Sequence, residues 1–202
     1  MKKLLPVFLL VFAFIAITAF YLNNKKAQDL TGRLVTGYEI GDAVDSLNGV
    51  KVYYNGAVSN TAERHKAVSG YNYGLRWQCV EFVKRYYYDY LDHQMPDTYG
   101  HAKDFFDKEL KDGALNKKRN LIQYKNGGKT APKTNDLLVF RPHSFNPYGH
   151  VAIVSRADSS EMEIIQQNPG PSAPSRVTYT LTHKNGKWTV DRSDLLGWLR
   201  KE

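Results

Sequence analysis

The chain reads as an α+β protein, with helices in its first half and an antiparallel sheet in its second. Three observations predict this. Val80, Val83, Tyr87 and Leu91 recur at helical spacing directly after Trp77-Gln78-Cys79. From Asp136 onward, short apolar runs alternate with turn residues, as strands do. The helical patterns come first and the strands follow as a group, the order of an α+β domain.

Taken in order, the chain opens Met1-Lys2-Lys3 and then runs from Leu4 to Leu22 without a charge, before Asn23-Asn24-Lys25-Lys26. At about 1.5 Å of rise per residue, such a run comes close to crossing a bilayer core of about 30 Å. Residues 1–26 are therefore expected to be a signal peptide or transmembrane anchor. The apolar length and the lack of a small-x-small cleavage site favour an uncleaved anchor. Lysines on both flanks orient it only weakly. Residues 28–202 are expected to form one domain, exported and either membrane-anchored on the extracytoplasmic face or secreted.

Residues 30–74 read as loops and short strands among Gly32, Gly37, Gly41, Gly49 and Gly56. A helix from the cysteine segment should end near Leu91. A second amphipathic helix is expected over His101 to Leu110, where Ala102, Phe105, Phe106 and Leu110 share a face. Residues 111–135 read as a surface loop with one short strand at Leu121 to Tyr124. Strands are then expected at Asp136 to Phe140, His150 to Ser155, Met162 to Asn168, Val177 to Leu181, Trp188 to Val190 and Leu196 to Leu199. Asn185-Gly186 should form a tight hairpin turn.

The chain has 28 Lys and Arg against 20 Asp and Glu. That balance suits an anionic surface such as a cell wall or lipid headgroups. Lys117-Lys118-Arg119 is too short for a nucleic-acid stripe, and no nucleic-acid partner is expected. One cysteine excludes an intramolecular disulfide.

A lone cysteine is most often a buried packing residue. Cys79 differs in its place at a helix start, where unpaired N–H groups and the helix dipole favour thiolate. A nucleophilic thiol needs a base, and the candidate is His150, which follows Gly149 and opens a strand apolar on both faces. His143 is the nearest rival but lies in a loop. The imidazole would take the thiol proton and later protonate a leaving amine. A third group to fix the ring could come from the next strand, where Gln166 and Asn168 share a face and Gln167 points the other way. In a regular strand the acids Glu161 and Glu163 fall on the opposite parity. Side-chain amides also serve as ordinary strand-end caps.

Trp77-Gln78-Cys79-Val80-Glu81-Phe82, Asp136-Leu137-Leu138-Val139-Phe140, Gly149-His150-Val151-Ala152-Ile153-Val154 and Gln166-Gln167-Asn168 resemble, in order, the motifs of the CHAP family. These are cysteine, histidine-dependent amidohydrolases and peptidases on a papain-like fold. Within it the chain is most similar to the amidase domains of bifunctional glutathionylspermidine synthetase/amidases, from about Gly32 to Leu199. The resemblance implies Cys79 as nucleophile, His150 as base and Gln166 as the orienting group, with Asn168 lining the site. Those amidases carry glutamate at the position of Gln166. A neutral amide still fixes the tautomer but stabilises imidazolium less, so a higher thiol pKa and slower acylation are expected. They also carry a substrate-contacting arginine five residues after the cysteine, where this chain has Lys84 and then Arg85. Lysine keeps the charge and loses the bidentate fork.

The Cys79 N–H is the natural oxyanion donor, with a second from the Gln78 side chain or the Tyr71-Asn72-Tyr73 loop. Gly128-Lys129-Thr130 ends like a phosphate loop, but Gln123 stands where glycine is needed. No cofactor and no metal are implied. The sequence therefore predicts an exported cysteine amidase acting on an amide in peptidoglycan peptides, as a monomer, with the membrane as a partner through the N-terminal segment. The alternatives are a glutathionylspermidine-type amidase acting on a peptide–polyamine conjugate and a non-catalytic wall-binding module.

Overall fold

The computed structural model describes residues 4–144 and 146–202, leaving aside the side chains of residues 4–10 and 21–23. It is α+β. Helix α1 spans Leu4–Asn23 and α2 spans Lys25–Thr36. Asn24 caps α2 by accepting the amides of Lys26 and Ala27, and Gly37 closes it at φ 75°. The expected loop region therefore starts only after Thr36. Among the described residues no helix is long and apolar enough to cross a membrane, and the expected anchor has no structural support. The span from Leu4 to Leu22 lies partly outside the described side chains.

Two small ribbons follow, β1 (Ala43–Leu47) with β2 (Val50–Tyr53) and β3 (Arg64–Lys66) with β4 (Asn72–Leu75). Helix α3, Cys79–Asp89, starts at the cysteine. The helix expected over His101 to Leu110 is reduced to a single 3-10 turn at Ala102–Phe105. The cause lies far along the chain. Gln123 Oε1 accepts the Asp107 amide at 2.9 Å and its Nε2 donates to the Asp107 carbonyl at 2.7 Å, while Asn116 Nδ2 donates to the Phe105 carbonyl at 2.9 Å. Backbone groups that a helix would use are bonded to side chains instead.

The remaining strands form one antiparallel sheet. They are β5 (Ala114–Asn116), β6 (Leu121–Lys125), β7 (Leu137–Phe140), β8 (His150–Ala157), β9 (Glu161–Ile165), β10 (Arg176–Lys184), β11 (Lys187–Val190) and β12 (Leu195–Arg200). Their order is β11-β10-β9-β8-β7-β12-β6-β5. Strand β5 lies in the stretch expected to be loop. The β10–β11 turn places Asn185 at φ 53° and Gly186 at φ 71°, as a tight hairpin requires.

The sheet curls until β11 meets the residues after β6. Trp188 exchanges main-chain hydrogen bonds with Gly127 and Gly128, and the Asn126 side chain bonds both backbone groups of Val190. Alternation along the central strands then fills two cores. Val139, Val151, Ile153 and Ile165 pack with Phe82, Val83 and Tyr86 of α3. Leu138, Ala152, Val154, Ile164 and Trp198 pack with Leu181 and Val190 on the other face. Helix α3 is thus held against the convex side of the sheet by an apolar layer whose members are almost all fully buried. That burial is what fixes Cys79 relative to β8.

Candidate active site

Cys79 and His150 line one cavity of about 380 Å³. Its lining includes Gln78, Cys79 and Val80 at the head of α3, Gly149 and His150 at the start of β8, and the Val58-Ser59 loop. Asp29 of α2 supports this loop, accepting the Ala57 amide and Asn60 Nδ2, each at 2.7 Å. Gly74 lets β4 pass the head of α3, since a Cβ there would lie 3.3 Å from the Glu81 amide and φ is 134°.

The imidazole of His150 is oriented by Gln166, whose Oε1 lies 2.9 Å from His150 Nε2. Which way this amide faces is settled by its other end, because Gln166 Nε2 donates to the Pro174 carbonyl at 3.0 Å. The oxygen must therefore accept, so Nε2 of His150 carries the proton and Nδ1 is left as the proton acceptor. Burial pushes the His150 pKa down to about 4, against the Gln166 bond, which raises it. The ring still keeps part of its surface in the cavity.

Burial also decides the thiol. It pushes the Cys79 pKa up to about 11, although the amides of Val151, Val80 and Cys79 pull it down. The pull of the helix start toward thiolate is therefore opposed here, and desolvation outweighs the amides.

The strand carrying the amides ends at Ile165, earlier than expected, so Gln166, Gln167 and Asn168 lie beyond it. Asn168 adopts φ 57°, a left-handed conformation. Its Nδ2 donates to the Val58 carbonyl at 3.0 Å and to Gln78 Oε1 at 3.1 Å, while its buried Oδ1 has no partner. Gln78 Nε2 donates to the carbonyls of Val58 and Asn60. Both of its amide hydrogens are taken, leaving none for an oxyanion. Nor do Tyr71, Asn72 or Tyr73 line the cavity; Asn72 Nδ2 donates to the Thr98 carbonyl and the Tyr73 hydroxyl to Asp89. The Cys79 N–H remains as the expected donor.

Lys84 and Arg85 are not brought to the cavity. Lys84 is 1% exposed and donates to the carbonyls of Asn72 and Thr98. Burial, joined by the charges of Arg119 and Arg64, lowers its pKa to about 7. Arg85 donates to Glu81 at 2.6 Å and to the Lys51 carbonyl at 2.8 Å, with Tyr53 and Phe82 against its guanidinium. Both are internal because positions five and six after Cys79 fall on faces of α3 covered by β4 and β2.

Several residues around the site escaped the sequence reading. Glu81 is fully buried and bonded by His65 Nδ1 at 2.7 Å, by Arg85 and by Gln167 Nε2 at 2.7 Å. Burial alone would raise its pKa, and these three partners together hold it below the ordinary value. The i,i+4 spacing of Glu81 and Arg85 was the available signal. Arg64 and Tyr99, which line the cavity, carried none.

Such a site places a thiol and an imidazole of fixed tautomer in one cavity, the two groups that covalent amide hydrolysis uses. Residues 69–168 match the CHAP domain. The chain is 28% identical over 136 residues to the trypanothione synthetase of Crithidia fasciculata, covering 62% of this chain and 21% of that protein. It is 28% identical over 137 residues to the bifunctional glutathionylspermidine synthetase/amidase of Escherichia coli (strain K12), covering 62% and 22%. With the glutathionylspermidine synthase of Crithidia fasciculata the match is 29% over 140 residues, covering 62% and 19%. The chain thus spans about a fifth of the length of these relatives. The ordered motifs, the cavity and the matched segment thus agree on a CHAP domain over residues 69–168 of this chain.

Proposed function

We propose that this protein is a cysteine-dependent amidohydrolase, with Cys79 as nucleophile, His150 as general base and acid, and Gln166 as the residue that orients the ring. The observation that carries this reading is the fixed tautomer of His150, which leaves Nδ1 to receive a proton in the cavity that also holds Cys79. The thiol proton passes to Nδ1 as Sγ bonds to the carbonyl carbon. The resulting oxyanion sits near the Cys79 N–H at the head of α3. His150 returns the proton to the amine nitrogen as the C–N bond breaks, leaving a thioester. Water then loses a proton to His150, adds to the thioester carbon, and releases the acid and the thiol.

The proposed substrate is an amide in peptidoglycan peptides, and the proposed location is outside the cytoplasm, with residues 1–26 as leader or anchor. Support comes from the uncharged run after Lys3, the net basic composition and the size of the cavity. A second reading, a peptide–polyamine conjugate, is favoured by the names of the relatives, one of them a glutathionylspermidine synthetase/amidase. The test incubates the full chain and its Cys79→Ala variant with purified peptidoglycan fragments and, separately, with glutathionylspermidine, and weighs the products. Cleaved muropeptides with wild type alone support the first reading; released spermidine alone supports the second. Retained turnover in a folded Cys79→Ala variant would sink both.

A further inference from the structure

Among the described residues lining the cavity there is one permanent charge, the Arg64 guanidinium of β3, and no carboxylate. Arg64 is exposed, with its guanidinium 5.0 Å from the centre of the Tyr99 ring. Its Nη1 reaches Asn72 Oδ1 at 3.4 Å, a long and weak hydrogen bond. No described Asp or Glu forms an ion pair with it. Arg76, Arg85, Arg176, Arg192 and Arg200 each hold a carboxylate. Arg64 is thus a planar, uncommitted fork facing the space where substrate would lie, held against an aromatic ring.

The cavity therefore offers a cation for an anion and no acid for a cation. A polycationic group would find no acid to receive it and would face Arg64, with Lys84 and Arg119 buried behind.

We propose that Arg64, backed by Tyr99, is the specificity-determining residue of this cavity, binding a substrate carboxylate. The substrate class is then a carboxylate-bearing peptide amide. This inference rests on the cavity being the substrate site of the proposed amidohydrolase.

The test separates binding from chemistry. The full-length Cys79→Ala chain is titrated by calorimetry with alanyl-γ-glutamyl-lysyl-alanine, with its twin in which every carboxylate is a carboxamide, and with its spermidine amide. The acid form should bind about tenfold more tightly than the twin. Arg64→Gln should remove that difference and leave affinity for the twin unchanged, and Arg64→Lys should retain part of it. Equal affinities, a preference that survives Arg64→Gln, tighter binding of the spermidine amide, or no binding of the acid form would each overturn the proposal. Turnover of the same probes by wild type is read separately. Arg64-dependent binding without cleavage would refute hydrolysis of this peptide and leave the subsite standing. Cleavage without a carboxylate preference would refute the subsite and leave hydrolysis standing.

Discussion

Gln167 Nε2 donates to the main-chain carbonyl of Gln78 at 3.0 Å, tying the chain beyond β9 to the head of the cysteine's helix. The same nitrogen reaches Glu81 Oε2 at 2.7 Å, and Gln167 Oε1 accepts the Tyr53 amide at 2.8 Å. Its neighbour Gln166 holds His150. Two consecutive amides thus set the two proposed reacting residues, one through the ring and the other through the helix.

Removing this tie should be felt in both stability and catalysis. Gln167→Ala takes the acceptor from the half-buried Tyr53 amide and one donor from the buried Glu81 carboxylate, a loss of about 1–3 kcal/mol. Urea unfolding measures it. Turnover should fall chiefly in kcat rather than KM, because Gln167 does not line the cavity.

Gln166→Glu places a negative charge against His150 and should raise the pKa of the imidazole. The imidazolium then stabilises the thiolate, so Cys79 should titrate at lower pH. Alkylation by iodoacetamide followed across pH reads this without substrate: wild type should react along an alkaline limb, and the variant's limb should move toward neutrality. An unmoved limb would mean that Gln166 does not control the pair.

Burial of His150 and Cys79 also makes stability depend on pH from both sides. The folded pKa of His150, about 4, lies below its ordinary value of 6.5, so the unfolded chain binds more protons between them. That stability is present above pH 6.5 and is lost as pH falls toward 4, at most about 3 kcal/mol. Cys79 has the opposite sign. Its pKa is raised from 9.0 to about 11, so stability falls as pH rises across that window. Unfolding free energies measured across pH should show a shallower acid slope in His150→Asn and a shallower alkaline slope in Cys79→Ala.

Gly149 sets the entry of the chain into His150. It adopts φ 74°, and a Cβ there would lie 2.8 Å from the Phe140 carbonyl and 3.2 Å from the Lys103 amide. Gly149→Ala should cost about 2–3 kcal/mol and lower activity with it. Gly70 is the control, at φ 87° with nothing within 4 Å of a built Cβ. Gly70→Ala should cost only about 1 kcal/mol, from the backbone alone. Thermal melts of the two variants compare crowding with conformation.

Much of the architecture was legible because its causes are local. The start of α3 at Cys79, the runs that became β7 and β8, and the Asn185-Gly186 turn all follow from side-chain period or backbone preference over a few residues. The helix expected at His101 to Leu110 failed for the opposite reason. Its apolar spacing was sound, but Gln123 and Asn116 took the backbone groups it needed.

By itself, the sequence determined the α+β class, the cysteine at a helix start and the histidine at a strand mouth, since each is written in adjacent residues. Only the tertiary structure decided that Lys84 and Arg85 turn inward, that Arg64 faces the cavity, and that Gln167 joins Tyr53 to α3 across 114 positions of chain. It also decided which influence dominates at the thiol. A helix start favours thiolate, but the depth of burial that overrides it depends on how β8 and its neighbours close around the sulfur. Desolvation and long-range pairing are properties of the packed chain, and no short stretch of sequence contains them.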